Sequence, residues 1–407
     1  MTKKFYQLSP AERLETLDLP TDLADFYKGQ QSVELENIIE NYLADFRLPE
    51  GLLHHLVVDG KVYEVPMVTE EPSVVAAANN GARMIGLAGG FSSKKASQPL
   101  LGGQILFKGV NQFKLQAFVD QNKAAIFAAA EKAKPSMVER GDGLKKVNLR
   151  FVGEEQAALD LTVQTGKAMG ANAVNTILEA VKSCLQPYQD NIVAAILTNS
   201  GRDALVTVQG SVPVEAVGGE MAAEKIVSLS DFSKDDVDRA VTENKGIFNG
   251  LSAVVMATGN DYRAVEAAGH AYAAKSGKYQ SLSTWQLSDD KEALVGQLTM
   301  PLNIGVLGGA IAALPMAQKN LELLGNPTVD ELKKVILATG LANNLAALKA
   351  VSGKGIQSGH MKMQARVLAV QAGARPDEIM AVADELAQSG QIDQENAERI
   401  LGELRRP

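Results

Sequence analysis

Residues 104–198 pass through six patterned segments in an order that few folds accommodate. Residues 104–110 read as a strand, 111–134 as a long amphipathic helix and 147–152 with 159–165 as paired strands. Residues 170–188 read as a helix and 192–198 as a last strand. Strand, helix, two strands, helix, strand is the split βαβ order of ferredoxin-like folds. No Gly-x-Gly-x-x-Gly follows a strand, and no Gly-x-x-x-x-Gly-Lys-Ser/Thr phosphate loop occurs, which disfavours a Rossmann domain or a P-loop ATPase.

The flanking sequence has a different texture. Ser9-Pro10-Ala11-Glu12 predicts a helix start, with Ser as cap, Pro at the first position and Glu reaching back. Residues 52–68 predict two strands joined at Asp59-Gly60. Pro72 opens an apolar helix to about Gly81, and residues 89–93 read as a loop. Beyond 205 come a strand, Ala-rich helices at 233–257, 261–276 and 329–350, and a strand pair between 281 and 301. Residues 305–316 read as a buried turn and helix, while short polar helices begin near Arg375 and Asp393. The expected fold class is α+β: a large mixed helical and sheet domain (1–105 and 204–356), an inserted ferredoxin-like, non-Rossmann domain (106–203) and a C-terminal helical piece (357–407) loosely packed enough to move.

Composition excludes several functions. A net charge of −8 over 407 residues argues against a nucleic-acid surface, which needs a basic footprint. Cys184 is the only cysteine, so neither an intrachain disulfide nor a multi-cysteine metal site is available, and a reducing cytoplasm fits. No stretch approaches the roughly 18 consecutive apolar residues of a membrane span, and the N-terminus lacks a signal-peptide core. Four histidines (54, 55, 270, 360) without a His-Glu-x-x-His pattern predict no metal centre, and no Gly-x-Ser-x-Gly elbow is present.

Three peptides hold charge against nearly uncharged sequence: Thr69-Glu70-Glu71-Pro72-Ser73, Glu243-Asn244-Lys245-Gly246 and Thr258-Gly259-Asn260-Asp261-Tyr262-Arg263. Ions inside apolar stretches must be paired, hydrogen-bonded or shifted in pKa, and sites that keep them are often catalytic. Each also has a plainer reading: Glu71 as an acid at a helix start, Lys245 as a solvated lysine, Asp261 as a cap, His360 as an ordinary histidine. Lys167-Ala168-Met169-Gly170-Ala171-Asn172 joins a strand to a helix whose free N–H groups would attract an anion; the plainer reading is a tight turn.

Taken in order, these peptides resemble hydroxymethylglutaryl-CoA reductases of the soluble bacterial class II. The resemblance runs through Ile39-Glu40-Asn41-Tyr42-Leu43, residues 67–78, Ala168-Met169-Gly170-Ala171-Asn172, residues 244–250, residues 257–266 and Gly359-His360-Met361. It implies a two-step reduction of the thioester to mevalonate with release of CoA, using NADPH or NADH, with NADPH favoured on the commoner biosynthetic role. It implies a CoA-thioester-binding large domain, a cofactor-binding inserted domain, a mobile flap at 357–407 and a homodimer or higher oligomer with an interfacial active site.

By the same resemblance Lys245 stabilises the developing oxyanion, Asp261 orients Lys245, Glu71 donates a proton to the aldehyde intermediate, and His360 protonates the departing thiolate. Ser73, Arg239 and Asn249 contact the hydroxymethylglutaryl group, and Lys167, Met169, Gly170 and Asn172 hold the cofactor. Lys167 stands where the family often has Asp, and Ala44 where it often has Gly. The competing expectations are a nicotinamide-independent CoA-thioester hydrolase or acyl transferase, and a catalytically silent binding protein.

Overall fold

The computed structural model describes residues 3–94, 99–353 and 357–406, except the side chains of 357–363. Two sheets organise it. The larger has six strands in the order β2-β1-β3-β8-β10-β9, where β1 is Glu50–Val58, β2 Lys61–Val68, β3 Phe91–Ser93, β8 Leu205–Pro213, β9 Ser283–Leu287 and β10 Ala293–Pro301. Its pairs are antiparallel except β1 with β3. Asp59 and Gly60 both have positive φ, the conformation a two-residue hairpin of matching twist requires. Residues 89–93, expected as a loop, contribute β3, because buried Phe91 is paired on both sides, with Val58 and Gly210.

The second sheet is antiparallel, in the order β5-β6-β4-β7, with β4 at Leu100–Lys108, β5 at Gly143–Phe151, β6 at Gln156–Gln164 and β7 at Ile192–Thr198. The strand and helix order is that read from the sequence, and β4 crosses the expected boundary between residues 105 and 106. One face of this sheet packs on helices Gln112–Gln121, Lys123–Ala133 and Ala171–Ser183 around Ile105, Leu115, Ile126, Leu159 and Ile177. The single helix expected over 111–134 is divided at Asn122, whose side chain bonds back to the Phe118 carbonyl and competes with the helix.

The main core lies between the six-stranded sheet and three helices: Val74–Gly86, Val237–Ala257 and Val329–Ser352. The last is 24 residues long, and it is the one helix among the described residues long and apolar enough to cross a membrane, yet most of it is buried inside the protein. A capping box from Thr328 and Glu331 starts it. The first helix begins at Val74 rather than Pro72 and runs to Gly86. The helix expected from 233 starts at Val237, capped by Asp236, and a separate helix, Glu220–Asp235, precedes it. Residues 305–316 are more open than expected: 307–310 are exposed, and the helical part is the single turn Ala310–Ala313 followed by the start of helix Pro315–Leu323.

At the C-terminus, helices Gln357–Gln371, Ile379–Gln388 and Gln394–Leu404 share a small core of their own around Ala369, Val382, Leu386 and Ile400. Glu378 clasps it, taking hydrogen bonds from Arg375 and Arg405, and those two guanidiniums hold its carboxyl well below the usual range.

Candidate active site

Two of the three charged peptides meet. Lys245 Nζ donates to Glu71 Oε2 at 2.5 Å, across 174 residues of sequence, and Asn249 Nδ2 reaches Glu71 Oε1 at 3.5 Å. Lys245 and Asn249 are four apart on helix Val237–Ala257, so they present one face. Glu71 comes from the turn between β2 and helix Val74–Gly86, its N–H bonded to Thr69 Oγ1. Ser73 caps that helix at φ +78, a left-handed conformation uncommon for a non-glycine residue and one that recurs at functional sites. Beside the pair lies an open cleft of about 330 Å³ bordered by Gly51, Glu70, Glu71, Ser73 and Val75. Both partners are solvent-accessible, so the pair can be rearranged by a ligand at little cost.

Asp261 is placed differently from the expectation that it orients Lys245. Helix Val237–Ala257 ends in a Schellman turn: Gly259 N–H bonds Met256 O, Asn260 N–H bonds Val255 O, and Gly259 takes φ +67. Asp261 then caps helix Tyr262–Ala273 through the N–H groups of Arg263 and Ala264 and pairs with the Arg263 guanidinium. Burial pushes its carboxyl up, but Arg263 and the Ala264 N–H outweigh burial and hold it below the ordinary value. Lys245, meanwhile, bonds Glu71.

Arg239 lies two turns before Lys245 and donates to Glu243 Oε2 at 2.6 Å. Glu243 is buried, its other oxygen receiving Asn344 Nδ2 at 2.5 Å, while Asn344 Oδ1 takes Trp285 Nε1 at 2.7 Å. Arg239 Nε is buried with no partner. Its guanidinium is therefore held at one end and has a donor in reserve.

The segment Lys167–Asn172 links β6 to helix Ala171–Ser183. Gly170 caps that helix at φ +91 and contributes no side-chain hydrogen bond, and a Cβ there would run into Thr165. Lys167 and Asn172 are exposed, and half-buried Met169 packs on the small core. An exposed ammonium beside a helix N-terminus fits an anionic dinucleotide. Lys167 O accepts Val306 N–H at 2.9 Å, and Ala168 forms a parallel bridge with Leu307, docking this segment on the larger body. Among the described residues no group of three or more His, Cys, Asp or Glu is arranged to hold a metal. His360 lies within helix Gln357–Gln371, but its side chain is outside the described residues.

Sequence reading left Glu243, Asn344, Asn260 and Gly305 without roles. The four-residue spacing of Arg239 and Glu243 was a usable signal. The contacts made by Asn344 and Gly305 had none, because they join distant segments.

Residues 9–365 match the family model described as hydroxymethylglutaryl-coenzyme A reductase. A 3-hydroxy-3-methylglutaryl-coenzyme A reductase of Archaeoglobus fulgidus is 37% identical, over 98% of this chain and 94% of that protein. A probable enzyme of the same name from Borreliella burgdorferi is 31% identical, over 89% of this chain and 85% of that one. The class II 3-hydroxy-3-methylglutaryl-CoA reductase of Streptococcus pneumoniae, solved bound to NADPH in open conformations, superposes with a TM-score of 0.77 at 38% identity, covering 97% of this chain and 99% of its own.

Proposed function

From this chain's membership of the hydroxymethylglutaryl-coenzyme A reductase family, we propose how its residues divide the work of reduction. The protein is an oxidoreductase that converts hydroxymethylglutaryl-CoA to mevalonate and free CoA, the reduction of the mevalonate route to isoprenoid precursors. Four electrons are taken up as two hydrides, with two protons, and the C–S bond breaks between the two reductions. NAD(P)H supplies the hydrides; a relative solved with NADPH supports NADPH as the preferred form here.

Lys245 is the oxyanion-stabilising residue. Its ammonium already donates to a carboxylate oxygen, and a substrate carbonyl entering the cleft would take over that hydrogen bond as negative charge grows. Glu71, once protonated in the substrate complex, passes a proton to the aldehyde oxygen in the second step. Asn249 keeps Glu71 aimed. Asp261, by the family resemblance, orients Lys245 in the substrate complex. Ser73 and Arg239 hold the hydroxymethylglutaryl group, the spare guanidinium donor taking its free carboxylate. Lys167, Met169, Gly170 and Asn172 hold the cofactor.

His360 protonates the CoA thiolate and is carried by the flap, residues 357–407. The large domain, 1–105 with 204–356, binds the CoA thioester, and 106–203 binds the cofactor. A homodimer with an interfacial site is supported by exposed Val237 and Val241 on the helix that carries Arg239 and by exposed Phe232 on the helix before it. Burial of helix Val329–Ser352 inside the protein supports a soluble enzyme, and the cysteine-poor composition fits the cytoplasm.

The Lys245–Glu71 contact carries this reading. It is tested by mixing the protein with hydroxymethylglutaryl-CoA and NADPH or NADH while following nicotinamide absorbance and free thiol together. Two cofactors oxidised per thiol are expected; thiol without oxidation would mean a hydrolase. His360→Gln is expected to slow thioester reduction more than reduction of free mevaldehyde, and equal losses would remove the thiolate role.

A further inference from the structure

Resting on the reading of residues 167–172 as the cofactor segment, we infer that Asn260 is a positioning residue for the cofactor, acting through Gly305. The Asn260 amide uses both ends on the backbone of one residue: Nδ2 donates to Gly305 O at 3.1 Å and Oδ1 accepts from Gly305 N–H at 2.8 Å. On its other side Nδ2 lies 3.2 Å from Thr258 Oγ1, and Thr258 is wholly buried and bonded to Val254 O and Val255 O. The amide is therefore locked from behind by the helix end and presses forward on the loop after β10.

Gly305 transmits that placement. A Cβ on it would stand 2.6 Å from Met169 N and 3.0 Å from the Ala168 carbonyl carbon, so the two backbones are in direct contact. The next residue, Val306, donates to Lys167 O, and Leu307 bridges Ala168. Residues 302–306 have no regular structure of their own. Their position is set by the Leu302 N–H bond to Ala204 O, by buried Ile304 and by Asn260. The path from Asp261 to the cofactor segment is thus one side chain and one glycine long. Hydride transfer is sensitive to displacements of about 1 Å, so a strut at this point governs rate as well as affinity.

The test uses the full-length protein with Asn260→Ala, Asn260→Asp and Asn172→Asp. Cofactor dissociation constants are measured by fluorescence in the absence of substrate, together with hydrogen exchange at residues 304–307. Steady-state constants and the primary isotope effect with cofactor deuterated at the transferred position complete the set. Asn260→Ala is expected to speed exchange at Gly305 and Val306 and to weaken cofactor binding several-fold. It should lower kcat by about ten-fold or more with a larger isotope effect, and leave the KM for hydroxymethylglutaryl-CoA unchanged. Asn260→Asp retains the acceptor for Gly305 N–H and should fall between.

A purely structural asparagine would instead lower the melting temperature with cofactor affinity and isotope effect unmoved, and that result overturns the inference. Asn172→Asp separates the two readings. An acid is well tolerated at a helix start but would repel a cofactor phosphate there. If it binds cofactor as the unchanged protein does, the cofactor segment has been misassigned. If it binds poorly while Asn260→Ala binds normally, only the role of Asn260 fails.

Discussion

Helix Val237–Ala257 carries two cation–carboxylate pairs that differ in almost every physical respect. Lys245 reaches Glu71 at 2.5 Å from a different element, with side chains 58% and 36% exposed. Arg239 reaches Glu243 at 2.6 Å within one turn, with side chains 24% and 1% exposed. Near-equal distances conceal opposite uses. The wet pair contributes little to folding and is free to change partners. The dry pair is tied through Asn344 to Trp285, and losing one member strands the others without solvent. One helix thus carries an exposed pair and a buried one about two turns apart.

The contrast is broken most directly at Lys245. Lys245→Ala is expected to lower kcat by about a thousand-fold, on the order of 4 kcal/mol of transition-state stabilisation, with an unchanged melting temperature. A stability loss comparable to the kinetic one would show that the exposed pair is structural after all. Glu243→Ala is expected to do the reverse, costing on the order of 3 kcal/mol in denaturant unfolding because Asn344 and Arg239 lose their acceptor. Glu243→Gln keeps an oxygen for one of them and should cost less; equal losses would mean that charge alone matters.

Lys333 sharpens the comparison from the other side, as a lysine only 1% exposed. Burial pushes its ammonium down to about 8, with Asp330 opposing. Its folded pKa is below the unfolded one, so the unfolded chain binds the extra proton between about pH 8 and 10.5, and stability rises with pH across that window. Lys333→Met should therefore stabilise the protein at pH 7 by on the order of 3 kcal/mol, an advantage that fades between about pH 8 and 10.5. A constant advantage at all pH values would place the effect in packing.

The smallest effect is expected at Lys61, whose exposed ammonium donates to Glu331 at 2.7 Å. The Lys61 hydrogen bond and then the Thr328 N–H lead the influences that hold the Glu331 carboxyl at about 2. A depressed carboxylate stabilises above its unfolded pKa and loses that stabilisation as pH falls through the folded one. Lys61→Ala should cause a slight drop in unfolding midpoint at neutral pH that disappears towards pH 2.

Much of this was legible in the sequence because the signals were local. The Ser9 capping box, the Asp59-Gly60 hairpin and the strand at 192–198 depend on residues within a few positions of each other. Breaks at Asn122 and Asp236 were missed because a single side chain overrode a pattern that continued on both sides. Strand β3 was missed because a three-residue strand has no period to read, and its pairing partners lie far away in the chain.

The sequence by itself determined which peptides hold charge against apolar surroundings and that no glycine fingerprint follows a strand, since residue types and short spacings are written in the chain. Only the tertiary structure decided that Lys245 faces Glu71 while Asp261 turns to Arg263, and that Asn260 reaches the backbone of Ala168 and Met169 through Gly305. Those pairings are chosen by packing around a shared core. A charged side chain near several opposite charges takes the one that the helices and turns bring within hydrogen-bond reach.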